Sequence, residues 1–207
     1  MVRFWRNTLS HFHHTGAVAP SSAWLAQALA SPLAKRPEGG GPMRILEAGP
    51  GTGALTVAIV RQLKPGDHLT LCEINEDFVQ HLNDRFAHDP LLAPWREQTT
   101  IHHGPVQDLA PSEKFHHIVC GLPFNNFPPE LVQDIFDGFE SHVMSNGTVN
   151  YFEYAMIRRL KSPFVNQPER TRLRKVEQVL TAVAHRRKPR RKLVLLNMPP
   201  AWAWHLE

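Results

Sequence analysis

Cysteine is scarce, with two in 207 residues. A pair is too few for a disulfide framework. Cys72 and Cys120 each close an apolar, strand-like run, so buried free thiols in a reduced cytoplasm are expected. No apolar run approaches the roughly 18 residues that a membrane-spanning helix needs. The stretch FWRNTLSHFHH is broken by polar residues, so it lacks a secretory h-region and no leader is expected. Metal signatures are also missing despite 13 histidines: neither His-x-x-x-His nor Cys-x-x-Cys occurs. The pairs His13 and His14, His102 and His103, His116 and His117 are adjacent, and strand neighbours face opposite ways, so no metal site is expected. Acids are nearly absent from one stretch. Residues 155–192 hold 13 of the 23 Lys and Arg but two of the 19 acids, which leaves them at +11 and the remainder at −7. A basic segment on an acidic body suits an anionic partner, nucleic acid or membrane; a solvated helix face is the plainer alternative.

With 42% hydrophobic and 20% charged residues, the chain can bury one sizeable core, so one main domain is expected. Val2, Trp5, Leu9 and Phe12 lie at helical spacing and predict an amphipathic helix over residues 2–14. TGAVAPSS forms a turn, and Ser21 or Ser22 can cap a helix through AWLAQALA. The Pro/Gly break SPLAKRPEGGGP separates these N-terminal helices (1–41) from the main fold (42–207). Strands are then predicted at 43–48, 68–73, 99–103, 115–120, 148–154 and 192–197. Helices are predicted at 54–63, 75–87, 129–143 and 170–186. Strands alternating with helices of this length imply an α/β fold with a mostly parallel, doubly wound sheet.

EAGPGTGALT follows the first strand and opens a helix. Gly49, Gly51 and Gly53 permit a tight turn and a close approach of backbone to a ligand. Glu47 precedes them, and Glu73 ends the next strand, where an acid can accept hydrogen bonds from ribose hydroxyls. The spacing differs from the Gly-x-Gly-x-x-Gly of dinucleotide enzymes. This pattern resembles the class I methyltransferases, which have a Rossmann-like fold and bind S-adenosylmethionine. The resemblance implies that Glu47, Gly49, Gly51, Gly53 and Glu73 form the cofactor set, with Glu47 near the methionine amino end. Where that family often has an Asp for the adenine, this chain has Pro105 in HGPVQDL. Gln107 or Asp108 is left to take its place, although Asp108 can equally cap the following turn.

GLPFNNFPP ends the fourth strand with a stiff corner, since proline cannot donate to a ladder. It stands at the carboxyl edge of the sheet, where ligands of such folds bind. With TGAVAPSS, YFEY and LLNMPPAW, the stretch GLPFNNFPPE resembles the bacterial phosphatidylethanolamine N-methyltransferases. That resemblance implies transfer of methyl groups from S-adenosylmethionine to a lipid amine, by attack of the neutral amine on the sulfonium methyl carbon. Gly121 would adjoin the cofactor. Asn126, the Leu122 carbonyl, Glu153 and Tyr154 would hold the amine or accept its proton. Phe124 and Phe127 either face the cationic centre or pack in the core. The partner expected is an anionic bilayer surface reached from the cytoplasmic side by a peripheral, monomeric enzyme. Two alternatives stand: an ornithine-lipid N-methyltransferase, and a ribosomal RNA adenine N6-dimethyltransferase. Gly121, where the latter family has asparagine, weighs against RNA. Residues 161–168 would cover the head group.

Overall fold

Buried apolar runs and amphipathic segments alternate along the chain and assemble into one seven-stranded sheet with helices on both faces. The computed structural model describes residues 22–36, 40–155 and 167–207. The strands are β1 (Arg44–Ala48), β2 (His68–Glu73), β3 (Thr99–His103), β4 (Phe115–Cys120), β5 (Val143–Tyr154), β6 (Pro189–Val194) and β7 (Ala201–Leu206). They lie in the order β3-β2-β1-β4-β5-β7-β6. β1 to β5 pair in parallel, and β7 runs against both β5 and β6. The carboxyl end of β6 therefore lies at the same sheet edge as those of β1 to β5.

The helices are α1 (Ala23–Ala30), α2 (Ala54–Val60), α3 (Glu76–His88), α4 (Pro129–His142) and α5 (Gln167–His185). The Ser22 hydroxyl caps α1 by accepting the Leu25 N–H at 3.2 Å. Asn75 does the same for α3, accepting from Asp77 and Phe78. One core lies between the sheet and α1, α2 and α3: Leu25, Leu29, Ile45, Ile59, Leu69 and Leu82 are fully shielded or nearly so. The other joins α4 and α5 to the opposite face through Ile118, Phe136, Phe139, Tyr151, Val176 and Leu180. Because Leu25, Leu29 and Leu33 share a core with the sheet, α1 is part of the same hydrophobic unit.

The carboxyl-terminal end differs from expectation. The strand predicted at 192–197 is shifted back onto Pro189–Val194, and an additional strand, Ala201–Leu206, fills the place between it and β5. The AWAWHL alternation is stabilised by ladders on both sides, to residues some fifty positions away in one direction. Its edge neighbour β6 carries Arg190, Arg191 and Lys192, charges that suit an unpaired strand edge. The amphipathic segment at 2–14, most of TGAVAPSS, and residues 161–166 of the predicted head-group cover lie outside the described residues.

Candidate functional site

The glycine loop leaves β1 and enters α2 with Gly49, Gly51 and Gly53 all at positive φ (69°, 55° and 82°), a region that other residues rarely adopt. Gly49 donates to Cys72 O at 3.0 Å, and Gly121 donates to Ala48 O at 2.9 Å. A Cβ on Gly49 would fall 2.3 Å from Leu122 Cδ2, and one on Gly121 2.8 Å from Gly49 O. The loop and the corner after β4 are therefore in backbone contact, and Gly121 serves that close approach.

Glu73 ties the loop to the end of β2. One carboxylate oxygen accepts the Gly51 N–H at 3.0 Å, and the other accepts those of Ile74 (2.8 Å) and Asn75 (2.9 Å). A carboxylate has about four acceptor positions, so one remains for a further donor. Beside it opens a cavity of about 780 Å³ walled by Gly49, Cys72, Glu73, Ile74, Val106, Gln107 and Leu122, and extending along α4. Gln107 spans its rim, donating to Asp134 O at 3.1 Å. Asp108 is exposed, lies outside this wall and makes no side-chain hydrogen bond with the described residues, so Gln107 is the better placed of the two.

Glu47 sits behind the loop with no solvent exposure, and neither carboxyl oxygen has a hydrogen-bond partner among the described residues. Burial pushes its pKa up to about 8; the neighbouring Thr56 hydroxyl and N–H oppose the shift, and the Glu73 charge adds to it. Cys120, also buried, is pushed up to about 12 and is inert as a nucleophile at neutral pH.

The corner is a 3₁₀ turn, Phe124–Asn126. Its carbonyls are largely spoken for: Leu122 O accepts from Phe124 N–H, and Pro123 O from Asn126 N–H. Asn125 O and Phe127 O accept from the Arg172 guanidinium, both at 2.7 Å. Glu169 holds that guanidinium from the same helix, α5. Leu122 O thus retains one lone pair for an acceptor role. Phe124 and Phe127 are 1% and 2% exposed and pack on each other, with Phe124 also against Phe136 and Tyr151. Core packing is their role, and the alternative in which they face a cationic centre is set aside.

Glu153 and Tyr154 do not line the large cavity. With Asn125, Arg191, Trp202 and Trp204 they border a second one of about 100 Å³ on the other side of the corner. Asn126 stands on the turn, half-buried, and its side chain makes no hydrogen bond with the described residues. Burial raises the Tyr154 pKa, so it is a phenol at neutral pH. The corner thus divides a cofactor-sized crevice from a small polar recess.

Arg172 was not legible as a site residue, because its partners lie 45 and 47 positions away; the Glu169 three residues earlier marks only a helix-surface pair. Other basic residues of the same segment are also used internally. Arg187 pairs with Glu140 at 2.8 Å, and Arg191 lies 4.4 Å above the Trp202 ring. Arg172→Met is expected to cost about 2 kcal/mol of stability by freeing two charge-assisted hydrogen bonds. Turnover should fall well below wild type while cofactor affinity stays unchanged. Steady-state kinetics beside calorimetry check the split, and equal losses in both would make Arg172 only a stability residue.

Three features suit S-adenosylmethionine. The unpaired Glu47 carboxyl lies behind the loop for a cationic amino group, Glu73 keeps one free acceptor for a ribose hydroxyl, and Cys72, Ile74 and Val106 give apolar walls for a base. Residues 45–147 match the family described as a methyltransferase domain. An ornithine lipid N-methyltransferase from Singulisphaera acidiphila is 29% identical over 148 residues, covering 67% of this chain and 71% of that protein. A tRNA1(Val) (adenine(37)-N6)-methyltransferase from Vibrio parahaemolyticus is 29% identical over 85 residues, covering 41% of this chain and 34% of its own. The O-methyltransferase from Bacillus cereus, solved in complex with SAH, superposes with a TM-score of 0.64 at 14% identity over 97% of this chain and 89% of that one. This last likeness is one of fold.

Proposed function

Because the chain is a class I S-adenosylmethionine-dependent methyltransferase, we propose that it methylates the amine of a membrane lipid head group. The acceptors are phosphatidylethanolamine and its mono- and dimethyl forms, met by a peripheral monomer at the cytoplasmic face of the bilayer. The corner carries this reading. It is a rigid, uncharged turn between the crevice and a recess bordered by Glu153 and Tyr154, a place where an amine can be desolvated and oriented. The lipid N-methyltransferase relative, whose match spans most of both chains, supports a lipid amine.

Bound in the crevice, S-adenosylmethionine supplies an activated methyl group. The chain's own residues must present a neutral amine, since an unperturbed primary amine titrates near ~10 and its ammonium has no lone pair. Partial burial at the corner favours the neutral form. The Leu122 carbonyl and the Asn126 amide oxygen accept amine N–H groups and aim the lone pair. Tyr154 keeps its own proton and can hydrogen-bond the amine but not take its proton, so Glu153 is the group that accepts the proton lost on methylation and passes it to water. Positioning supplies most of the acceleration.

Ornithine lipid, which also presents a primary amine, is a second reading favoured by the relative. RNA adenine is a weaker third, resting on a shorter match. Radiolabelled S-adenosylmethionine offered separately with phosphatidylethanolamine vesicles, ornithine-lipid vesicles and total RNA should label the first. Label in RNA alone would overturn the lipid reading.

A further inference from the structure

The turn that joins β6 to β7 is unusually apolar for an exposed loop. Leu195 and Leu196 are 69% and 66% exposed and Met198 is 88% exposed, while Asn197 between them is buried. The turn is held in shape rather than loose. Asn197 Oδ1 accepts the Ser22 N–H at 3.0 Å, its amide donates to Pro199 O at 2.8 Å, and Pro200 O accepts the Ala155 N–H at 2.7 Å. Two residues beyond Ser22, Trp24 is 57% exposed on the first turn of α1. An apolar tip pinned in place in this way costs little ordering entropy when it is covered, and isolated exposed residues do not explain such a cluster.

Two further observations say what covers it. The first is charge. Between Lys188 and Leu206 there is no acid, and β6 leads into the tip with exposed Arg190 and Lys192. Lys192 has no ion-pair partner among the described residues, and Arg190 meets only the terminal Glu207, at 3.3 Å. Exposed apolar side chains with an unpaired cation, Lys192, on the strand that leads into them complement an anionic lipid surface, where tails receive the former and head groups the latter. The second is direction. β6 is parallel to β1 to β5, so its carboxyl end, and the tip that follows it, share the sheet edge with the glycine loop, Glu73 and the corner. A bilayer that receives the tip also faces the acceptor recess.

We propose that Leu195, Leu196 and Met198, with Trp24 beside them, form a docking tip that inserts into the head-group region of an anionic bilayer and sets the catalytic edge against it. This rests on the lipid reading of the function and adds the surface that would deliver the acceptor. Because both native cysteines are buried, Leu196→Cys in the full chain can be labelled selectively with an environment-sensitive bimane. Vesicles of equal phosphatidylglycerol and phosphatidylcholine should blue-shift the label, and nitroxide lipids should quench it.

Leu195→Asp with Leu196→Asp and Met198→Asp should lower partitioning onto those vesicles by about tenfold or more, given the apolar area withdrawn from lipid. Methyl transfer to vesicle phosphatidylethanolamine should fall in step, while transfer to a short-chain, water-soluble phosphatidylethanolamine remains, which also shows that the variant is folded. A label indifferent to vesicles, or a variant that partitions like wild type while lipid is still methylated, overturns the tip and leaves the lipid function standing. A label already shielded without lipid, and exposed on removing residues 1–21, assigns the tip to the chain's own amino-terminal segment and also overturns the proposal. If wild type methylates neither lipid form, the lipid reading fails and the tip fails with it.

Discussion

Gly49→Ala should abolish S-adenosylmethionine binding at concentrations that saturate the wild type, an affinity loss of about 100-fold or more. Two physical effects combine. At φ 69° the backbone is left-handed, which costs a non-glycine residue about 1–2 kcal/mol. The new Cβ would also lie 2.3 Å from Leu122 Cδ2 and 2.9 Å from Cγ. Leu122 is short and is followed by Pro123 in the rigid corner, so its way out is into the cavity that it lines. The substitution therefore fills ligand space as well as straining the loop. Gly51→Ala is the internal control: its φ is 55°, but a Cβ there has nothing within 4 Å. It should lose only the affinity that backbone strain explains, roughly tenfold. Calorimetry on both variants checks the contrast. Equal, mild losses would mean that the Gly49–Leu122 contact does not shape the site.

Glu47→Gln should change stability and cofactor binding in opposite directions. Burial pushes the carboxyl's pKa up to about 8 in the folded chain, from an ordinary 4.5. Between those values the folded state keeps a proton that the unfolded state has lost, so stability falls as pH rises from about 4.5 to about 8 and then levels off. The penalty at alkaline pH is on the order of 5 kcal/mol. Glutamine cannot ionise, so the variant's stability should be nearly flat across that window and should exceed wild type above pH ~8. If the carboxyl receives the cofactor's ammonium, wild-type binding near pH 7 must release close to one proton, and affinity must rise with pH between about 6 and 8. The variant should release none and bind at least tenfold more weakly. Calorimetry in buffers of different ionisation enthalpy counts the proton. A wild type that releases none, with a variant that binds equally well, would remove Glu47 from the cofactor set.

The glycine-loop half of the candidate site was readable because it is local. The glycines, Glu47 and Glu73 lie at the ends of two successive strands, and the turn geometry that they need is written in residues a few positions apart. Ser22 was readable as a cap for the same reason. The surroundings of the corner were legible only through the resemblance, not from neighbouring residues. Asn125, Glu153 and Trp202 meet only after the sheet has formed, and Arg172 reaches the corner across more than forty residues. Strand β7 was hidden in the same way: its ladder hydrogen bonds run to β5 and β6, and MPPAWAWHLE carries a break before it that reads locally as a tail. Composition alone does not show how the cations of the basic segment are used: Arg172 holds corner carbonyls, Arg187 pairs with Glu140 and the exposed Arg191 stacks on Trp202.

The most direct test of the account is a lipid mass spectrum. The chain would be expressed in a bacterial host whose membranes contain phosphatidylethanolamine but no phosphatidylcholine. A lipid amine methyltransferase should convert part of that phosphatidylethanolamine to species heavier by one, two or three methylene masses, and Glu73→Ala, which loses its hold on the Gly51 loop and the ribose acceptor, should abolish them. A lipid spectrum identical to that of the empty host, with methylated adenine rising in RNA instead, would contradict the account.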